Sequence, residues 1–254
     1  MILRRVIQHL KAQSWTAVVL DLAIVVMGVF VGIQASNWND ARSDRKLAQH
    51  YVQDIRADIT ADLDEYAAQQ KGTAQRRSAS EAVLRAIKNG LYEEPGLFLR
   101  QVDEAGRFSP PVLHRSTYDD LVATGGFRLI DRNVREILSE YYGYAEQTDS
   151  GFELQRRRVF DGYLPLAVAA LPLESQRWIY SVRSEDLKPI PGSDRDPKEA
   201  DQTLARLAAD DRADNALKAV IRGTWSIDRQ LSNMRARARL ILAKLNKAQR
   251  GAAA

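Results

Sequence analysis

The sequence predicts an all-α protein: an N-terminal transmembrane helix that continues into a helical-bundle extracytoplasmic domain. Three observations carry this. Residues 17–33 are apolar apart from Asp21 and lie between Trp15 and Trp38. In a helix those two rings would stand ~34 Å apart, close to a hydrocarbon core plus part of its interfaces, where Trp is enriched. Beyond Trp38, apolar residues recur every three or four positions, and Gly and Pro number only 14 and 8 in 254 residues.

The expected organisation has three parts. Residues 1–14 form a cytoplasmic amphipathic segment, with Ile2, Leu3, Val6, Ile7 and Leu10 on one face and Arg4, Arg5 and Lys11 elsewhere. Residues 15–38 form the transmembrane helix. Residues 39–250 form the bundle. The apolar run is long for a signal peptide, and the best cleavage site, after Ala35, has Ile33 at −3. A retained anchor is therefore expected. Arg4, Arg5 and Lys11 before the span nearly balance Arg42, Arg45 and Lys46 after it, so charge sets the orientation weakly. The short N-terminus and long C-terminal part place the tail in the cytoplasm and the domain outside, across a bacterial inner membrane.

The elements follow in order. Leu47, Tyr51, Ile55, Ile59, Leu63 and Tyr66 predict one long helix from the membrane to about Gln70–Gly72. A second helix spans about 78–89, closed by Gly90. Residues 91–115, with Pro95, Gly96, Gly106, Pro110 and Pro111, read as irregular. A helix starts at Ser116 or Thr117, with Asp119 or Asp120 three residues on, as in a capping box, and ends at Gly125–Gly126. Another begins after Asp131 as N-cap and runs through Leu138, Tyr141 and Tyr142. Residues 152–171 are helical with a kink at Pro165. Residues 184–197 read as a loop. Two helices follow Pro197, the last with Leu217, Val220, Ile221, Ile227, Leu231, Met234, Ile241 and Leu245 on its apolar side.

Composition excludes several classes. There is no cysteine, so neither a disulfide framework nor thiolate chemistry is available, and a net charge of +4 does not call for nucleic acid. His9, His50 and His114 are isolated from one another, so neither a metal nor another cofactor is expected. No phosphate loop, dinucleotide fingerprint or nucleophile elbow occurs.

Two groups of residues remain. Within the span, Asp21, Gly28 and Ala35 are seven apart and share a helix face, with Gly32 beside them. Gly28 and Gly32 form a G-x-x-x-G, which lets two backbones approach closely. Asp21 has three readings: an acid solvated by headgroups, an acid partnered at a packed interface, or a proton-transfer group. A carboxylate at mid-membrane costs ~2.5–3.5 kcal/mol, which favours a protein or water partner. In the domain, Asp54, Asp58, Asp62 and Glu65 form an acidic stripe whose neighbours repel. The last helix carries Arg229, Arg235 and Arg239, so pairing of the two helices across the bundle is the expected compensation. A solvated face and a cation or partner site are the alternatives. His114-Arg115-Ser116 beside Asp119 invites a hydrolase reading on sequence proximity alone.

The run Asp21-Leu22-Ala23-Ile24-Val25-Val26-Met27-Gly28-Val29, followed by Asn37-Trp38-Asn39-Asp40, resembles an uncharacterised bacterial family of single-span proteins. Ser116-Thr117-Tyr118-Asp119-Asp120-Leu121, then Gly125, Leu129-Ile130 and Tyr141-Tyr142, is similar to that family's second motif. The family usually carries Glu where this chain has Asp21. The resemblance implies a bacterial membrane protein with a helical domain and brings no activity.

The expected function is therefore non-enzymatic: a membrane-anchored protein acting by helix association in the membrane, as a homo-oligomer or with another membrane protein, and by partner binding through its helical domain, with lipid around the span and no nucleic acid partner. A ligand-sensing domain and a proton-coupled accessory subunit using Asp21 are the alternatives.

Overall fold

The computed structural model describes residues 15–182 and 195–253. The amphipathic reading of residues 2–12 and most of the loop reading of 184–197 lie outside the described residues. The described residues are mostly helical and include no strand.

Helix α1 runs unbroken from Trp15–Asn89, 75 residues and ~110 Å. It passes through the expected end at Gly72. The reason is that its buried face does not stop there: Tyr66, Thr73, Arg76, Ala79, Ser80 and Val83 continue the helical spacing, outweighing the ~1 kcal/mol propensity loss of one glycine. Gly90 closes the helix at φ +69°, and its N–H bonds the Ala86 carbonyl at 2.8 Å.

The stretch expected to be irregular contains helix α2, Pro95–Ala105. Pro95 and Gly96 read as breakers, but Pro at the first helical position is preorganised for a helix start. The Glu94 carboxylate accepts the N–H groups of Gly96 at 2.9 Å and Leu97 at 2.6 Å. Helix α3, Ser116–Thr124, ends at Gly125 with φ +70°. A short 3-10 turn, Gly126–Leu129, leads to Asp131, which caps helix α4, Arg132–Arg157, as expected. Helix α4 continues through a π turn, Arg158–Tyr163, into α5, Leu164–Ala170. The wide turn sits just ahead of Pro165, whose ring cannot accommodate the normal ladder. Helix α6 is Leu173–Ser181, α7 is Pro197–Ala208 behind its Asp196 cap, and α8 is Arg212–Ala253.

Three long helices make the bundle. Helix α8 runs antiparallel to α1, with Lys88 near Asp214 at one end and Gln70 bonded to Ser232 at 2.9 Å further along. It also runs antiparallel to α4, since Gln155 reaches the Val220 carbonyl while Tyr144 lies under Arg237. The short helices α2, α5, α6 and α7 pack at the end far from the apolar run of α1. Every residue of α1 from 19 to 47 is exposed, and the first core residue is Ile55. The described residues thus comprise a bare apolar helix, a bare polar stalk and a bundle whose core begins at Ile55.

Candidate functional site

Two places concentrate the residues that sequence reading singled out. The first is the apolar part of α1. Its large side chains, from Val19 at 59% to Ile33 at 54%, are exposed without exception. A buried core helix of the same composition would be covered; this one touches nothing in the described chain. By length and composition it can cross a membrane. Asp21, Gly28, Gly32 and Ala35 lie on this bare helix, and a Cβ added at either glycine would meet no atom within 4 Å. Trp38 is exposed, with the Arg42 guanidinium 5.8 Å from its ring centre. Trp15 opens the helix.

The second place is where the acidic stripe meets the segment between α2 and α3. Residues 110–115 lie along α1 as a strap, running opposite to it, and lead into the first turn of α3. Gln69 donates to the Pro110 carbonyl at 3.5 Å. The Val112 N–H donates to Glu65 Oε1 at 3.2 Å, the His114 N–H to Asp62 Oδ1 at 2.7 Å, and the Thr117 N–H to Asp58 Oδ2 at 3.3 Å. Residues 110–114 belong to no helix or strand, so their N–H groups have no ladder partners, and the stripe supplies acceptors.

This corrects the expected cross-bundle pairing. The first and last long helices do pack together. Yet among the described residues no ion pair joins Asp54, Asp58, Asp62 or Glu65 to Arg229, Arg235 or Arg239. Arg235 donates to Gln70 instead, while Asp54, Arg229 and Arg239 are exposed. Arg229 and Arg239 stay hydrated at the surface, whereas the His114 N–H is partly buried and finds its acceptor in Asp62. The expected capping box at Ser116–Thr117 is corrected likewise: the N-cap of α3 is Arg115, without a side-chain cap bond, and the acceptor for Thr117 comes from α1.

Asp62 is the centre. It is fully buried, and it accepts from the Tyr141 hydroxyl at 2.6 Å as well as the His114 N–H, with His114 Nδ1 3.0 Å away. Since Tyr141 gives its proton to Asp62, Tyr66 donates to Tyr141 across 2.7 Å. Tyr142 donates to the His114 carbonyl at 2.9 Å and packs on Tyr118, ring centres 4.2 Å apart. Burial raises the Asp62 pKa above its ordinary value, more than the bonds from Tyr141 and His114 lower it. Burial likewise pushes Tyr66, Tyr141 and Tyr142 up, so all three stay protonated donors.

The Ser-Thr-Tyr motif and the Tyr pair therefore converge on the acidic stripe, a union that sequence reading missed. The one available signal was the set of acids together with a proline-containing segment. The hydrolase grouping dissolves: Asp119 pairs with Arg115 at 3.0 Å, and His114 turns to Asp62. No group of three or more potential metal ligands occurs among the described residues.

At the far end, a groove of about 620 Å³ lies between α5 and the α7–α8 turn, lined by Leu166, Ala170, Arg206, Asp210 and Arg212 among others. Its arginines are engaged within the chain, Arg206 with the Ala170 carbonyl and Arg212 with Asp210. Comparison with protein-family profiles, with curated proteins and with solved structures finds no match.

Proposed function

We propose that this is a non-enzymatic, single-pass membrane protein that works by association: its span packs against a second copy or another membrane helix, and its bundle presents a helical surface to a partner. The observation that carries the reading is the wholly exposed apolar run at 19–33 on a helix continuous with the bundle. The ten Leu, Ile, Val and Phe side chains in that run favour insertion by about 0.3–0.6 kcal/mol each at mid-membrane. Together they reach about 3–6 kcal/mol, against ~2.5–3.5 kcal/mol for one central carboxylate, and Asp21, near the start of the run, costs less than that. In this reading the N-terminus is cytoplasmic and the bundle stands outside a bacterial inner membrane, lifted off the lipid by the bare stalk.

The face holding Gly28, Gly32 and Ala35 is where a second helix can come closest. Gly28→Leu and Gly32→Leu should abolish crosslinked species of the intact protein in its native membrane while leaving it in the membrane fraction after alkaline extraction. An unchanged crosslinking pattern would remove the association; release by alkali in the unsubstituted protein would remove the span.

A further inference from the structure

The bundle holds two separate apolar cores. The membrane-proximal one includes Ile55 to Tyr66 of α1, Val134 to Phe152 of α4, and Ile227 to Leu245 of α8. The distal one begins at Val83 of α1 and Val159 of the π turn and ends at Val220 of α8. Between them lies a layer of different chemistry. Its buried residues include Thr73, Arg76 and Ser80 from α1, Gln155 from α4 and Thr224 from α8. Among the described residues Phe108 alone packs against both cores, and the Arg76 guanidinium lies 5.2 Å from its ring centre.

This layer is poorly bonded between helices. Ser80 and Thr224 turn their hydroxyls back to carbonyls of their own helices, at 2.8 and 2.6 Å. Gln155 Nε2 reaches the Val220 carbonyl at 3.3 Å, but Gln155 Oε1 and Arg76 Nε and Nη1 have no hydrogen-bond partner among the described protein groups. Arg76 is 5% exposed, and burial lowers its pKa to about 10 against the raising influence of Glu104. A buried polar set that is only partly satisfied is a weak point in a core.

Each long helix is also locally weak at this level. Helix α1 carries Gly72, whose Cβ position is open. Helix α4 gives way to the π turn Arg158–Tyr163 just beyond Gln155. Helix α8 carries Gly223, where a side chain would collide with Gln155. Glycine and π turns both lower the resistance of a helix to opening.

We propose that the Arg76–Gln155–Thr224 layer is a joint, at which the membrane-proximal half of the bundle, strap included, opens independently of the distal half.

Hydrogen exchange on the intact protein in lipid nanodiscs tests this. Amides of 72–80 and 221–226 should exchange at least tenfold faster than those of 83–87 and 213–220, with 55–66 opening in a step separate from the distal set. Exchange of all these segments in one common step would overturn the joint. Arg76→Met with Gln155→Leu should slow exchange in the layer and merge the two steps into one. Two steps that persist unchanged in a folded double variant would also overturn it. If that variant does not fold, the exchange pattern of the unsubstituted protein decides.

Discussion

Asp62 shows how one side chain can join three segments of the chain. It is held between α1, the strap and α4 by donors from His114 and Tyr141. Because its pKa is raised in the fold, the folded state holds the proton more tightly than the unfolded chain. Its contribution is therefore most favourable below the ordinary value of 3.8 and declines as pH rises through the raised value. Thermal melts from pH 4 to 7 should show a steeper loss of stability with rising pH in the unsubstituted protein than in Asp62→Asn. Asp62→Ala should cost about 1–3 kcal/mol for each buried donor it strands, measured by denaturant unfolding. At the contact of α4 with α8, Gly223 makes room for Gln155, and Gly151 for Gln230. Gly223→Ala should destabilise by about 1–3 kcal/mol through overpacking, and adding Gln155→Ala should recover part of that loss.

Among the elements, α1 shows tertiary contacts overriding a local breaker. Gly72 is half-buried, and a Cβ there meets nothing within 4 Å. Gly72→Ala should stabilise by about 0.5–1 kcal/mol, raising the melting temperature by roughly 2–4 °C for each kcal/mol in a bundle of this size. The strap depends on acceptors from α1, so Asp58→Ala should cost about 1 kcal/mol, as loss of a helix cap does, with increased exchange at Thr117. Reversing Asp58 and Arg235 together should restore nothing beyond the single changes, because the two do not touch; recovery in the double variant would contradict the strap geometry.

At the scale of the whole molecule, the apolar run of α1 and the bundle make no contact among the described residues, and the stalk separates them. A chain beginning at Asp40 should therefore be water-soluble and give the same melting transition as the full protein, followed by circular dichroism. The sequence by itself determined the helical class and the long apolar run, because three- and four-residue periodicity and apolar composition are local properties that no later contact alters. It also located the caps at Gly90, Gly125 and Asp131, whose chemistry lies within a few residues. It misplaced the end of α1 and overlooked α2, where Gly72 and Pro95-Gly96 look like breaks until packing and the Glu94 cap are known. Only the tertiary structure decided what the acidic stripe is for. Repulsion along one helix shows that acids need a partner. Whether that partner is an arginine on α8 or the N–H groups of the strap depends on which donors are left unsatisfied once the helices have docked. The polar layer between the two cores has the same origin: Thr73, Arg76, Gln155 and Thr224 are unremarkable in sequence and meet only because α1, α4 and α8 bring them to one level.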